Sequence, residues 1–337
     1  MPDAFVPYPL HLSYALRRYA FGGRAIVERL GKPGLPDGAV AESWEVSDHA
    51  SEPALVLNGV YRGRALGELV QAHPDALVRR GWRGPHLPLL VKLLDACRAL
   101  PVHVHPDGRV AAREHGEPNG KDEAWHVLAA PPGASVLVGV HLAVSRSALR
   151  AALLAGAYDD VMPRHGVAVG DTVDVPAGVL HTFGPDTLIL EVQQTSDLAA
   201  SAAPSDVYGR PLSRTEWEAN VDATLERLTS AALPVPRPGS VLHEGPTHRR
   251  VEGCRNARYV LERWTLRAPV TARLGEEGFV MLTNLGAPLT IAYEDGEACI
   301  ERATSCLLPA ALGPVTLRPD AREGGDVVLC FEPAPHR

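Results

Sequence analysis

Glycine and proline interrupt this chain almost everywhere, with 31 of one and 30 of the other along 337 residues. Between them lie apolar segments of strand length: VLVGVHLAV (136–144), DTVDVPAGV (171–179) and DTLILEVQQ (186–194), rich in β-branched residues and partly alternating. Such punctuation ends strands and begins turns, so it predicts a chain dominated by short strands. Helices are expected at a few places. Ser213 and Glu216 form a capping box, and Trp217, Val221, Leu225 and Leu228 follow on one helical face. RALGELVQAHPDALVRR (64–80) and SRSALRAALLAG (145–156), the latter stopped by Gly156, are further helical segments.

The length exceeds what one hydrophobic core usually serves, so two units are expected. The proline-rich stretch LPVPRPGS places the boundary near residue 236, giving units of 1–236 and 237–337. The second is again β-patterned, through YVLERWTLRA, GFVMLTNLG, PLTIAYEDGEACIERA, SCLLPA, PVTLRP and DVVLCFEP. The two units thus read as two copies of one β-barrel plan. Hydrophobic residues at 45% and charged residues at 22% are ordinary globular usage. A net charge of −7 gives no long-range attraction for polyphosphate, which argues against nucleic acid as a partner. No segment has the length and apolarity of a membrane span, and no basic-then-apolar leader opens the chain, so a cytoplasmic protein is expected. Cys97, Cys254, Cys299, Cys306 and Cys330 show no C-x-x-C spacing and read as free thiols.

The chemistry concentrates in LPVHVHPDGR, where His103 and His105 stand at i and i+2 and so face the same way on a strand. Further on, GDTVDVPAGVLH has the pattern G-x5-P-x-G-x2-H, with Gly170, Pro176, Gly178 and His181 at the fixed places. That pattern resembles the second cupin motif, in which turn residues deliver a strand histidine into a small barrel. Glu123, in GKDEAWHVL, opens another strand-like segment, with 106–122 read as an inserted loop. His103, His105, Glu123 and His181 form a ligand set suited to one divalent metal, zinc first, with manganese, iron, cobalt or nickel as alternatives. His126, His141 and His165 lack such company and read as ordinary strand or loop residues.

AESWEVSDH, LPLLVKLLDACRALPVHVHPD, GKDEAWHVL, GDTVDVPAGVLHTFGPDTLILEVQQTSD and SCLLPAALGPVTL resemble, in order, segments of the type I phosphomannose isomerases, and FGG at 21–23 echoes that family's early W-G-G. The resemblance implies a mainly β bicupin fold, two jelly-roll-like barrels with a few covering helices. It also implies a metal held by His105, Glu123 and His181, with His103 where the family has glutamine. The second barrel lacks an H-x-H pair and is expected to be metal-free. The implied activity is interconversion of mannose 6-phosphate and fructose 6-phosphate. An aldose–ketose isomerase needs a Lewis acid at the sugar oxygens and a base for the proton. Glu191 and Asp197 are the candidate bases, and Lys121 and Lys92 the candidate cations for the phosphate, Lys121 also standing as a candidate catalytic residue. One departure matters. Where the family continues T-T-Y-R, this chain has Leu198, Ala199, Ala200 and Ser201, so Arg210, on a lengthened loop, is expected to fold inward and serve both catalysis and phosphate binding. Two other readings fit the ligand set: a cupin oxygenase, and a sugar-binding homologue that lost catalysis with the arginine.

Overall fold

Strand residues alternate between two faces, and in DTLILEVQQ both faces are buried: Leu188, Leu190 and Val192 on one side, Ile189, Glu191 and Gln193 on the other. A strand of that kind needs covering on both sides, and the computed structural model, which describes residues 4–334, supplies it by stacking sheets.

The chain begins with β1 (Leu10–His11), β2 (Ala15–Arg17), β3 (Glu42–Val46), β4 (Leu89–Ala96), β5 (His103–Val104) and β6 (Glu123–Ala129). It continues with β7 (Ser135–Val138), β8 (Arg164–Gly166), β9 (Thr172–Val175), β10 (His181–Phe183), β11 (Thr187–Gln194) and β12 (Ala200–Ser201). Beyond residue 236 it adds β13 (Ser240–Glu244), β14 (His248–Arg255), β15 (Val260–Leu266), β16 (Val270–Ala272) and β17 (Val280–Asn284). It ends with β18 (Leu289–Tyr293), β19 (Gly296–Ile300), β20 (Thr304–Leu308), β21 (Val315–Arg318) and β22 (Gly325–Phe331).

Among the described residues four antiparallel sheets result, in the orders β12-β5-β10-β7-β8, β2-β3-β4-β11-β6-β9, β1-β20-β17-β22-β15-β14-β13 and β16-β21-β18-β19. They lie as layers in that sequence. Leu94, Trp125, Val127 and Ile189 of the six-stranded sheet pack on Val136, Val138 and Phe183 of the five-stranded one. The opposite face of the same sheet packs Val91, Leu93 and Leu190 against Leu261, Met281, Leu307 and Val328 of the seven-stranded sheet. Val280, Leu282 and Leu329 then meet Ile291, Ile300 and Leu317 of the four-stranded sheet. The fold is mainly β, as the punctuation predicts, but the sheets are open packed layers and among the described residues none of them closes into a ring.

Local signals hold where the chain itself sets the structure. Ser213 accepts from the Glu216 amide while the Glu216 side chain accepts from the Ser213 amide, and a helix follows over Arg214–Glu226. Ser145 caps Arg146–Leu153, and Gly156 takes φ +69° just beyond. The segment 64–80 splits at Pro74 into Leu66–Ala72 and Pro74–Leu77. Two expectations fail. VLVGVHLAV stays extended only to Val138, because Gly139 turns at φ +88°. The insertion after His105 is not all loop: Gly108–His115 is a helix, with Asp107 as N-cap and Gly116 as left-handed C-cap, burying Val110 and Ala111. Among the described residues no helix is long and apolar enough to cross a membrane.

The segment LPVPRPGS leads from the 214–226 helix into β13, yet the chain on its two sides is tied elsewhere. β1 pairs with β20, setting Leu10 opposite Leu307. Lys32 Nζ reaches Glu45 Oε2 (2.8 Å) and donates to the Ala303 carbonyl (2.8 Å), both side chains being buried. Glu45 also accepts from Ser43 Oγ at 2.6 Å and Ser305 Oγ at 3.3 Å. Removing one member of such a pair leaves a buried charge uncompensated. Lys32→Met is therefore expected to cost about 3–5 kcal/mol, read from the shift of the urea midpoint at constant slope. A midpoint equal to that of the parent would show that the pair carries no such burden.

Candidate metal centre

Cross-strand register builds the centre. β5 pairs with β10 so that His103 lies directly opposite His181, and His105 follows two residues on, on the same face. Gly178 makes the turn into β10 at φ +79°, where a side chain would also collide with Thr229 Oγ1, and its amide donates to the His105 carbonyl at 2.8 Å. The insertion is closed by Lys121 N–H donating to the Pro106 carbonyl at 3.1 Å, so it leaves and rejoins the sheet at one point and delivers Lys121 and Glu123 beside His105.

The ring nitrogens settle the tautomers. His103 Nδ1 lies 2.7 Å from the Pro101 carbonyl, His105 Nδ1 2.8 Å from that of Leu198 and His181 Nδ1 2.8 Å from that of Val179. A carbonyl only accepts, so each Nδ1 carries the proton and each Nε2 presents a lone pair. These nitrogens lie within 4.8 Å of one another, and those of His103 and His181 are only 2.9 Å apart. Two facing lone pairs at that distance call for a cation between them. Burial, then the His181 ring, holds the His103 imidazole well below its usual range, and burial with the Lys121 ammonium brings His105 to about 4. Neutral imidazole is the ligand form. Glu123 adds the carboxylate, with Oε2 3.1 Å from His105 Nε2 and Oε1 3.3 Å from His181 Nε2. Trp125 Nε1–H donates to Glu123 Oε1 at 2.8 Å and fixes its plane. The donor set fits a divalent transition metal.

A row of charges leads away from this centre across the buried face of the six-stranded sheet. Lys121 Nζ lies 2.9 Å from Glu123 Oε2 and 3.9 Å from Glu191 Oε1; Lys92 Nζ lies 3.6 Å from Glu191 Oε1 and 3.5 Å from Glu42 Oε2. Register again explains the row, since Glu191 is opposite both Lys92 and Trp125. Burial opposes the Lys121 charge, but Glu123 and Glu191 outweigh it and raise the ammonium above its usual range. Against its own burial, Glu123 is held well below the carboxylate range by Lys121 and then His105. Glu191 goes the other way: burial and then the Glu123 charge push it to about 7, the two lysines opposing. Its Oε1 is buried without a hydrogen-bond partner.

The sequence-derived residues therefore separate. His103, His105, Glu123, His181, Lys121, Glu191 and Lys92 come together. Asp197 is exposed. Arg210 does not fold inward; it is exposed and its Nε donates to Asp206 Oδ2 at 3.0 Å in the turn before the 214–226 helix. The Leu198 side of the altered loop still serves the centre, through the carbonyl that orients His105. His126 is buried against Thr172 Oγ1 (3.0 Å), away from the ligand set. Glu42, Trp44 and Trp125 were not singled out from sequence. Alternation within AESWEVSDH sets Glu42 and Trp44 on one face, but only pairing with β4 shows that this face is the one bearing Lys92.

The profile of the family described as phosphomannose isomerase type I, catalytic domain, matches residues 10–125. A mannose-6-phosphate isomerase of Streptococcus mutans is 36% identical over 189 residues, 56% of this chain and 58% of that protein's length. The Bacillus subtilis protein YvyI is 26% identical over 321 residues, 92% of this chain and 96% of its own. The crystal structure of the mannose 6-phosphate isomerase from Bacillus subtilis superimposes with a TM-score of 0.83 at 23% identity, covering 96% of this chain and 99% of that one. Fold and site together define a cupin-like fold in which three histidines are placed so that they could hold a metal ion. Within that class, the chain is similar over residues 10–125 to the catalytic domain of the type I phosphomannose isomerases, and its match spans a little over half the length of the Streptococcus mutans relative.

Proposed function

We propose that the protein is a metal-dependent aldose–ketose isomerase interconverting mannose 6-phosphate and fructose 6-phosphate in the cytoplasm, with zinc on His103, His105, Glu123 and His181. The observation that carries this reading is the junction of two features: three Nε2 lone pairs converging beside Glu123, and a buried lysine–glutamate row running from them. When bound, the metal would supply Lewis acidity toward the sugar oxygens. Glu191, with an unpartnered oxygen between two ammonium groups, accepts the proton that moves between C1 and C2 and returns it. Lys121 steadies the negative charge that develops on the sugar oxygens beside the metal ligands, and Lys92 holds Glu191 in place. Asp197 stands at the rim. Residues 237–337 act as a structural unit that backs the six-stranded sheet.

The test is a coupled assay with mannose 6-phosphate on protein whose metal content has been measured. Turnover that disappears on chelation and returns with zinc supports the reading. Metal-replete protein with no turnover would defeat it, and oxygen consumption would turn it toward an oxygenase.

A further inference from the structure

The metal-distal end of the charge row closes on a single indole. Trp44 is fully buried, and its Nε1–H donates to Glu42 Oε2 at 2.8 Å. Three side chains from three segments surround its ring: the Arg17 guanidinium carbon at 5.1 Å from the centroid, Lys92 Nζ at 4.4 Å and the His49 imidazole edge-on at 5.7 Å. Pairing of β2 with β3 sets Arg17 opposite Glu42, and pairing of β3 with β4 sets Trp44 opposite Lys92, so all share the face that carries Glu191.

Arg17 differs from the two lysines of the row in being incompletely used. Lys121 and Lys92 are almost wholly buried and each lies between two carboxylates. The Arg17 side chain is 22% exposed, with Nη1 2.8 Å from Glu52 Oε1 and Nη2 donating to Ser51 Oγ at 3.3 Å, while its Nε–H is buried and has no partner. A guanidinium offers five donors in a planar fork that matches phosphate oxygens, and stacking on an aromatic face fixes that plane in advance. The Nε side of the fork remains for an anion, the Ser51 hydroxyl beside it being held by His49 Nδ1 at 2.8 Å.

We propose that Arg17 is a substrate-binding residue that holds the phosphate of the sugar phosphate, with Trp44 as its platform. The proposal rests on the isomerase reading for the identity of the substrate, but phosphate capture is measurable without turnover. Inorganic phosphate is the probe, by calorimetry and as a competitive inhibitor, alongside steady-state kinetics with mannose 6-phosphate. Arg17→Ala is expected to raise both the phosphate Kd and KM by about 10- to 100-fold, with metal content unchanged and the larger share of the loss in KM. Arg17→Lys should recover part of this, because a point charge lacks the fork. Glu52→Gln separates binding from structure: if Arg17 serves only to tether the 47–55 loop, this change should harm as much as Arg17→Ala, whereas a phosphate ligand freed from its surface partner should bind phosphate as tightly as before or more so. Phosphate affinity within twofold of the parent in Arg17→Ala would overturn the proposal, as would an Arg17→Lys variant that binds phosphate as the parent does. If Arg17→Ala fails to fold, the Arg17→Lys and Glu52→Gln comparison decides. If the parent binds phosphate but turns nothing over, the isomerase reading fails while the phosphate site stands. A parent that does not bind phosphate at millimolar concentration sinks the site itself.

Discussion

Protein carrying alanine at both His105 and His181 is expected to hold no stoichiometric metal and to lose at least about 10³-fold in turnover, the scale on which several kcal/mol of Lewis-acid stabilisation disappears. The two residues come from different strands, yet their Nε2 atoms both lie within 3.3 Å of Glu123 oxygens. Removing both leaves one imidazole and one carboxylate, too few donors for a structural or catalytic transition-metal site. The carbonyls of Leu198 and Val179 lose only hydrogen-bond partners, and the strands that carry the histidines remain paired, so the fold should persist. Three measurements check this together: elemental analysis, turnover of mannose 6-phosphate, and circular dichroism. Unlike chelated parent protein, the variant should not regain activity when zinc is added. Unchanged stoichiometric metal in a folded variant would place the metal elsewhere.

What could be read from the chain alone follows from how far apart the determinants lie. The capping box at Ser213 and Glu216, the H-x-H pair and the turn glycines before His181 are local patterns, and the structure keeps each of them. Strand runs were legible too, except where Gly139 turned one short and where DTVDVPAGV ended at Val175, just before Pro176. The short helix at 108–115 escaped because it buries only Val110 and Ala111, although its Asp107 and Gly116 caps were in plain view. Layering was illegible in principle: nothing in TLILEVQQ says which sheet covers Leu190 and which covers Ile189. The same holds for β1, which pairs with β20 nearly three hundred residues further along the chain. Arg210 shows the opposite error. A long loop rich in small residues suggested an inward fold, but the Asp206 carboxylate, four residues earlier, accepts from both the Arg210 guanidinium Nε and the Arg210 backbone amide. A nearby carboxylate in a turn was the stronger determinant.

Glu191→Gln is expected to lower kcat by about 10²–10⁴-fold, the usual contribution of a positioned general base, while leaving metal content intact. Glutamine keeps the shape of the side chain on β11 but cannot accept the sugar proton. The assignment prefers Glu191 to Asp197 on geometry: Glu191 is buried with a bare Oε1 on the face that holds the metal ligands, and Asp197 is solvent-exposed. Its loss also relieves Lys92 and Lys121 of one carboxylate each, which adds net positive charge near the phosphate and should hold KM steady or lower it. A fall in kcat with unchanged or smaller KM is thus the expected signature, opposite to that of Arg17→Ala. Proton transfer can be followed on its own by incubating the sugar phosphate in deuterated water and measuring label carried into substrate and product. The glutamine variant should introduce label more slowly in proportion to kcat, and Glu191→Asp should restore part of it. If Glu191→Gln retains kcat and label uptake within threefold of the parent while Asp197→Asn abolishes both, the proton belongs to the rim aspartate, and Glu191 serves only to space the two lysines.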